Sequence, residues 1–372
     1  MGKQIYADNA ATTRLSRAAY EAMQPFLLEE YGNASQAYSF ARNPKRALNE
    51  ARASIAANIG ADLDEIFFTS GGSESDNWAV FGAAAQGKRI ITSSIEHHAI
   101  LNPCAYYAKQ GVEVEIIPVD SKGVVDSRSL VKAATSGNAL ISIMTANNEI
   151  GTIEPIKELC GIAHQSGCVF HTDAVQAVGH IPINVKEMGV DMLSASAHKF
   201  NGPKGIGFLY IRKGLTWPSL IFGGGQEFGH RAGTENVAAI VGMATALTEN
   251  VDNLSRNIRH IYELEDIVIS MLNESGFPYL RNGSNHHIPG SLSLSFRGKS
   301  GEALLHLLDF KGICVSTGSA CNSKNTQISH VLQAIGLAEE YANGTIRISL
   351  GSHNTKEDAV YIGQTLIEVL RK

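Results

Sequence analysis

Apolar residues recur along the first two-thirds of the chain in two alternating patterns, one typical of helices and one typical of buried strands. One helical pattern begins at Asn43 and Pro44, keeps an apolar side through Ile59, and is ended by Gly60. Short apolar runs predict strands at 65–69, 89–92, 112–119, 140–145, 168–172 and 192–195. This alternation predicts an α/β domain with a mostly parallel sheet and helices on both faces.

The pattern changes after about Gly242. A long amphipathic stretch at 254–273 predicts a linking helix, and polar and apolar residues then alternate at 291–296 as in a strand. A helix, another strand at 345–350 and a terminal helix complete a smaller α+β domain. We predict a large domain at 15–250 and a small domain made of 1–14 together with 251–372.

Composition narrows the class of protein. Of 372 residues, 44% are hydrophobic and 18% are charged, which is typical of a globular protein and not of a disordered or fibrous one. The net charge of −5 gives no indication of a nucleic-acid surface. The first residues contain no apolar signal stretch, and no run reaches the about 18 apolar residues that a membrane span needs. We therefore expect a cytoplasmic protein with no direct nucleic-acid or membrane partner.

A glycine-containing turn at 69–77 follows a predicted strand and opens a helix. Gly71 and Gly72 allow close backbone approach to an anion, and free N–H groups at a helix start, with the Ser73 hydroxyl, bind phosphate. The same pattern also fits a capped helix behind a tight turn. Taken alone, the turn leaves both interpretations open.

Two further polar groups follow buried strands. Asp173 comes directly after one strand, and in a parallel sheet ligands bind beyond the carboxyl ends of the strands. A carboxylate there can keep a pyridine nitrogen protonated, although Asp173 also fits a helix N-cap. Lys199 follows the next strand beside His198 and can hold pyridoxal phosphate (PLP) covalently, whereas most lysines, such as Lys204, are merely solvated. The order of phosphate turn, Asp and Lys on successive strand ends favours the PLP interpretation.

These segments resemble the cysteine desulfurases, PLP-dependent enzymes of the class V aminotransferase group. The resemblance extends from Asp8-Asn9-Ala10-Ala11-Thr12-Thr13 to Arg347-Ile348-Ser349-Leu350-Gly351. Between them lie Asn147-Asn148-Glu149-Ile150-Gly151, Arg231-Ala232-Gly233-Thr234 and Ser316-Thr317-Gly318-Ser319-Ala320-Cys321. The resemblance implies fold type I of the PLP-dependent transferases and conversion of L-cysteine to L-alanine.

The resemblance also implies a role for each matching residue. Lys199 would hold the cofactor and move protons, and His97, rather than its neighbour His98, would stack on the cofactor ring. Asp173 would pair with the ring nitrogen. The remaining cofactor contacts would come from Gly72, Ser73, Asn148, Gln176, Ser196, Ala197 and His198, with Thr234 reaching in from the neighbouring subunit of a homodimer. Asn148 and Arg347 would bind the substrate carboxylate, and no metal is expected.

Cys321 lies among small and polar residues, which predicts an exposed thiol. Such a thiol suits a nucleophile that enters a pocket and leaves carrying sulfur, but the residues alone favour an incidental surface cysteine. The resemblance implies a persulfide on Cys321, in a segment similar to that of the long-loop subtype, for transfer to an iron–sulfur scaffold or a thiolation enzyme. The other four cysteines are expected to be structural: Cys104, Cys160 and Cys168 in the core, and Cys314 in a buried strand.

Some features depart from the family pattern or fit other activities. Ala34 stands where relatives usually have proline, and the short stretch after Val369 favours a dedicated sulfur acceptor. His286 and His287 are expected on the surface without a role.

A selenocysteine lyase, an aminotransferase of the same group and a non-catalytic sulfur-carrier subunit are the alternative functions. The last of these is disfavoured because Lys199 and Cys321 are both present.

Overall fold

The computed structural model of the protein describes residues 4–135, 137–317 and 328–371. Its central sheet has seven strands, which follow one another across the sheet in the order β2-β8-β7-β6-β5-β3-β4. Those strands are β2 (Ile66–Thr69), β3 (Arg89–Ser93), β4 (Val114–Ile117), β5 (Ala139–Ser142), β6 (Val169–Asp173), β7 (Met192–Ser196) and β8 (Gly207–Ile211). Only β8 runs antiparallel to its neighbours β2 and β7, so the predicted mostly parallel sheet is confirmed.

Helices cover this sheet and continue into the rest of the chain. They are α1 (Arg17–Leu28), α2 (Arg42–Ile59), α3 (Gly72–Ala85), α4 (His98–Ala108), α5 (Ser127–Ala134), α6 (Ile156–Gln165), α7 (Val185–Met188), α8 (Val237–Asp252), α9 (Leu254–Ser275), α10 (Gly301–Phe310), α11 (His330–Ala334), α12 (Glu339–Ala342) and α13 (Lys356–Leu370). Gly60 ends α2 in the left-handed conformation, with φ of 72°, as its position after the apolar pattern predicts. Within the described part of the chain, no helix is long and apolar enough to span a membrane.

The second half of the chain has its own sheet and its own hydrophobic core. In this sheet β10 (Ser291–Ser295) pairs antiparallel with β9 (Leu280–Arg281) and with β12 (Thr345–Ser349). Near the amino terminus β1 (Ile5–Tyr6) pairs in parallel with β11 (Ile313–Cys314). Ile5 and Ala7 therefore belong to a core made otherwise of residues from 261–370, distinct from the core around the seven-stranded sheet. The division into domains at 15–250 and at 1–14 with 251–372 stays a prediction.

The expectation that His287 is exposed is wrong. Its side chain is buried, and Nε2 lies 2.9 Å from Glu265 Oε1 and 2.7 Å from Arg281 Nη2. Its neighbour His286 is exposed. Paired histidines in a polar stretch do not show which one points inward, and here the buried Glu265 on α9 attracts one ring into the core.

The described cysteines behave as expected, with one difference. Cys104, Cys160 and Cys168 are buried, whereas Cys314 in β11 is only half-buried and accepts a hydrogen bond from Gln4 Nε2 at 3.3 Å. Burial raises the pKa of the Cys104 and Cys160 thiols to about 12, with smaller contributions from nearby carboxylates. Both thiols are therefore protonated at neutral pH and poor nucleophiles.

Candidate active site

A cavity of about 600 Å³ opens at the carboxyl ends of the parallel strands. Side chains at this edge come from different strands, because the strands run in the same direction and end together. Ten of the predicted site residues line the cavity: Gly72, Ser73, His97, Asn148, Asp173, Gln176, Ser196, His198, Lys199 and Arg347. The fold thus assembles one site from residues that are up to 275 positions apart in the sequence, from Gly72 to Arg347.

The glycine turn forms one end of the cavity and opens α3. Gly71 is the N-cap of this helix, with φ of 147°, a conformation that favours glycine. A Cβ atom on Gly72 would lie 2.6 Å from Val175 Cγ2, so the backbone here is too close to its neighbour for a side chain. The 14-residue helix directs its unpaired N–H groups at the cavity, which suits a phosphate group.

The half-buried carboxylate of Glu74, which also lines the cavity, fixes the same turn. Glu74 accepts the Ser70 N–H at 2.7 Å and pairs with Arg231, whose Nε and Nη2 donate to it at 2.9 and 3.1 Å. The hydrogen bonds from Arg231 and Ser70 outweigh burial and lower the pKa of Glu74. The Glu74 carboxylate is therefore bound by Arg231 and Ser70, and the N–H groups at the start of α3 are left available to an anion.

Asp173 ends β6 and is buried at the bottom of the cavity. Its Oδ1 accepts the Val175 N–H at 2.9 Å, which fixes the carboxylate in a turn rather than at the start of a regular helix. Burial raises the pKa of Asp173 to about 6, while the Val175 N–H and the charge of Lys199 act in the opposite direction. A carboxylate in this position can hold a pyridinium nitrogen in its charged form.

Asp76 is a cavity residue that the sequence reasoning missed. It lies on α3 one turn after Gly72, is fully buried, and its Oδ1 has no hydrogen-bond partner among the described residues. Burial and, secondarily, the nearby Asp173 raise its pKa well above the usual range of a carboxyl group. The pKa shift of Asp76 is toward the neutral acid, whereas the Val175 N–H and the charge of Lys199 favour the ionised form of Asp173.

Lys199 lies in the 3₁₀ turn Ala197–Lys199 that follows β7. Its Nζ donates to the carbonyl oxygens of Ala10 and Ala11 at 2.6 and 2.9 Å, and Gln176 Nε2 donates to the Ala10 carbonyl at 2.9 Å. The amino-terminal segment thus forms one wall of the cavity and holds the amine. Sequence reasoning also missed this contribution, which comes from backbone groups.

His97 caps α4 and faces the cavity, whereas His98 does not line it. His97 Nδ1 accepts the Ala99 N–H at 3.1 Å, so the proton of the neutral ring is on Nε2. Burial, followed by the charges of Lys199 and His98, lowers the pKa of His97 to about 4. The His98 ring packs instead against His330, with 4.9 Å between ring centroids. The structure therefore separates two adjacent histidines that the sequence alone cannot distinguish.

Arg347 enters the cavity from β12 of the smaller sheet. Its guanidinium donates to the Asn148 carbonyl at 2.9 Å and to Asp8 Oδ1 at 2.7 Å. Nε is buried and has no hydrogen-bond partner among the described residues. A planar guanidinium held in this way is suited to a carboxylate ligand. The residues that line the cavity thus come from elements around both hydrophobic cores.

His198 stands beside Lys199 and is bound to the amino-terminal segment, with Nδ1 at 3.1 Å from Thr12 Oγ1. Burial and the charges of Lys199 and Lys204 lower the pKa of His198 to about 4. The ring is therefore neutral at physiological pH and can donate a hydrogen bond without a charge. Ser196, also in the cavity wall, adds a hydroxyl close to Gly71, where a Cβ atom would lie 3.4 Å from Ser196 Oγ.

Three predicted residues do not line this cavity as the structure describes it. Ala197 is fully buried, and its N–H donates to the Ile206 carbonyl at 3.1 Å. Thr234 is exposed and lines a separate cleft of about 210 Å³ on the other side of Ser70. Cys321 lies outside the described residues. Among the residues that are described, no group of three or more His, Cys, Asp or Glu side chains could hold a metal ion.

Comparison with known proteins agrees with this geometry. The family model for class V aminotransferases matches residues 5–362. The chain is 50% identical to the cysteine desulfurase IscS of Dictyoglomus turgidum, over 100% of this chain and 96% of that protein. It is 46% identical to the cysteine desulfurase IscS of Methanosarcina thermophila, over 100% and 93% of the two chains. The solved structure of a NifS-like protein superposes with a TM-score of 0.93 at 40% identity, covering 99% of this chain and 100% of that one.

The chain belongs to the class V aminotransferases and, within them, to the cysteine desulfurases. It is an enzyme that depends on PLP. The residues present fit this cofactor: a helix amino terminus for the phosphate, Asp173 for the ring nitrogen and Lys199 for the aldehyde carbon. The cavity that contains them is large enough for a cofactor with a small substrate.

Proposed function

We propose that this cysteine desulfurase converts L-cysteine to L-alanine and holds the sulfur as a persulfide on Cys321. The observation that carries the proposal is the convergence of Asp173, Lys199, His97 and Arg347 on one cavity. Together they supply a partner for the cofactor nitrogen, an amine, a neutral imidazole and a carboxylate-binding guanidinium. Cysteine needs all four, because its carboxylate must be bound while its Cα proton is removed.

The cavity residues have separate roles in binding the cofactor, binding the substrate and moving protons. When bound, PLP supplies an electron sink that stabilises negative charge at the substrate Cα. Arg347 and Asn148 bind and orient the substrate carboxylate, and Lys199 Nζ takes the Cα proton and returns a proton to carbon. His97 carries a proton on Nε2 and faces the cavity. Asp173 keeps the ring nitrogen protonated throughout.

The sulfur step balances without an external oxidant. The Cys321 thiolate forms an S–S bond with the substrate sulfur, and the C–S bond breaks with its electron pair left on carbon. A proton then joins that carbon, so one cysteine and one Cys321 thiol yield one alanine and one persulfide. The persulfide sulfur subsequently passes to a protein acceptor, either an iron–sulfur scaffold or a thiolation enzyme, in the cytoplasm.

Mapping of the persulfide tests this assignment. After incubation with L-cysteine and blocking with an alkylating reagent, the peptide that contains Cys321 is expected to gain the mass of one sulfur atom. The Cys104 and Cys160 peptides serve as internal controls, because their thiols have a pKa of about 12 and stay protonated. A sulfur atom found on the Cys314 peptide instead would overturn the assignment.

We further propose that the enzyme is a homodimer in which Thr234 completes the phosphate site of the neighbouring subunit. The segment before Thr234 exposes large apolar side chains: Ile221 is 37%, Phe222 79% and Phe228 59% exposed. Exposed apolar side chains grouped in one segment are typical of a protein interface. A second copy of the chain is the partner that buries them.

The same segment is held in a strained conformation by a buried ion pair. Glu227 and Phe228 have φ of 48° and 58°, which costs about 1–3 kcal/mol for each residue and persists only under external constraint. The Arg52 guanidinium supplies this constraint, because its Nη1 and Nη2 each donate to the Glu227 carboxylate at 2.7 Å. A strained turn that is held by a buried ion pair is typical of a functional segment, and this supports the proposed role of Thr234.

Thr234→Val is therefore expected to weaken PLP retention by roughly tenfold, since one hydrogen bond to a charged phosphate is lost. Equilibrium dialysis of the dimer against dilutions of PLP measures the effect. Thr135→Val, at an exposed turn after α5, is the matched control. Equal PLP affinity of Thr234→Val and the control would contradict the shared site.

A further inference from the structure

Residues 328–337 pack on the edge of the large sheet, in a cluster separate from the smaller core. A separate hydrophobic cluster joins this part of the chain to the strand ends, with Val331, Leu332 and Ile335 on one side and Ile95, Met144 and Ile150 on the other. Met144 itself lines the active-site cavity. The position of α11 is therefore coupled to the cavity wall through direct packing.

A buried hydrogen bond fixes the beginning of α11. Ser329 Oγ donates to Glu149 Oε2 at 2.5 Å and also accepts the Val331 N–H at 3.1 Å, as an N-cap does. Both Ser329 and Glu149 are 7% exposed. Burial raises the pKa of Glu149 to about 7, whereas Ser329 and the Arg347 charge favour its ionised form. Glu149 directly follows Asn148, one of the substrate-binding residues proposed above.

Next to this pair, His330 is bound at two points. Its Nε2 donates to the Glu96 carbonyl at 3.0 Å, and its ring packs edge-on against His98. Glu96 in turn accepts the Met144 N–H at 2.9 Å. Ser329 and His330 are thus held by polar contacts to the segments that carry His97 and Asn148.

Arg347 binds the backbone of Ser316, which precedes Cys321 in the sequence. Ser316 and Arg347 exchange backbone hydrogen bonds, with N–O distances of 3.0 Å from Ser316 and 2.7 Å from Arg347. In the sequence, four residues separate Ser316 from Cys321 and seven separate Cys321 from Ser329. The described residues on either side of 318–327 are therefore bound next to the proposed carboxylate site. Ser316 is bound by Arg347, and Ser329 by Glu149 beside Asn148.

We propose that Ser329 and Glu149 form a positioning pair for the sulfur step, which holds the Cys321 segment in register with the bound substrate. The pair does not touch the reacting atoms, and it acts through the attachment of α11 to the residue next to Asn148. This inference rests on the proposed persulfide role of Cys321. It assigns Ser329 and Glu149 to the second half of the reaction, the attack of the thiolate, and not to removal of the Cα proton.

Two substrates separate the two halves of the reaction. L-Cysteine requires the Cys321 thiol to take up its sulfur, whereas β-chloro-L-alanine loses chloride with its electron pair and needs no thiol. Ser329→Ala is expected to lower kcat for alanine formation from L-cysteine about tenfold, the effect of losing a hydrogen bond to a charged group. Pyruvate formation from β-chloroalanine is expected to stay within about twofold. Ser329→Thr, which keeps the hydroxyl, is the matched control and is expected to retain the L-cysteine rate within about threefold.

A double-mutant cycle with Glu149→Ala tests whether the two residues act together. If the two residues act as one unit, the double variant is expected to be as active with L-cysteine as the less active of the two single variants. Multiplied losses, an equal fall with both substrates, or a Ser329→Thr variant as slow as Ser329→Ala would overturn the positioning role. Failure of the proposed function has a different signature, because Cys321→Ser would then still convert L-cysteine at the wild-type rate.

Discussion

Lys199→Ala is expected to abolish desulfuration, with a loss of at least about a thousandfold in kcat. Proton transfer by a positioned group contributes up to about four orders of magnitude to an enzymatic rate. The variant also loses the covalent attachment of PLP. Lys199 Nζ lies at the cavity wall, where it donates to the Ala10 and Ala11 carbonyls. The visible absorption of purified protein and alanine release from L-cysteine provide the two measurements.

Lys204 is the natural control, because its side chain lines the same cavity from the loop before β8. Lys204→Ala is expected to keep covalently bound PLP, and borohydride reduction followed by peptide mapping identifies the lysine that holds it. Cofactor fixed on the peptide of Lys204 in the wild-type enzyme would show that the assignment of Lys199 is mistaken. Loss of colour in both variants would indicate damage to the site rather than loss of the attachment point.

The sequence predicts much of this site because a parallel sheet collects its strand ends at one edge. Gly72, Asp173 and Lys199 each follow an apolar run by a few residues, so their meeting requires only that the strands run in the same direction. Polarity and spacing after a strand are local signals. No local signal distinguishes His97 from His98, and only the family resemblance selects His97. In the structure His98 packs on His330, whereas His97 faces the cavity.

Other parts of the fold depend on distant contacts and leave little trace in the sequence. Strand β8, absent from the predicted elements, runs antiparallel between β2 and β7. Its first residue, Gly207, would place a Cβ atom 2.7 Å from Gly71 Cα, so the glycine serves a contact 136 positions away. Likewise the carbonyls of Ala10 and Ala11 reach Lys199 through backbone atoms, which every residue has. A single sequence cannot show which backbone groups are used.

Asp76 differs from these cases because a signal for it was present. It lies four residues after Gly72 on α3, and residues at this spacing share one face of a helix. A helix that presents its first turn to a phosphate therefore also directs the residue at this position toward the same cavity. Burial and the nearby Asp173 raise the pKa of Asp76, because two carboxylates placed close together in a buried site disfavour each other's charge.

Aminotransferase activity and desulfuration differ in whether they require a reactive cysteine. A plain aminotransferase needs the lysine but no thiol, whereas desulfuration needs a nucleophilic thiolate. Of the four described cysteines, Cys104, Cys160 and Cys168 are buried, and Cys314 lies in β11 of the smaller lobe. None of the four lines the cavity. The proposed assignment of the sulfur step to Cys321 is consistent with the burial and placement of these four thiols.

Cys321→Ser is accordingly expected to lower alanine and sulfide formation from L-cysteine by at least about a thousandfold, since a serine hydroxyl at neutral pH is a far weaker nucleophile than a thiolate. The visible spectrum and the elimination of chloride from β-chloroalanine are expected to remain, because both depend on Lys199 and the cavity. Cys314→Ser is the matched control, and its rate with L-cysteine is expected within about twofold of wild type. Full desulfuration by Cys321→Ser would refute the persulfide role, and loss of both reactions would place Cys321 in the binding of the cofactor instead.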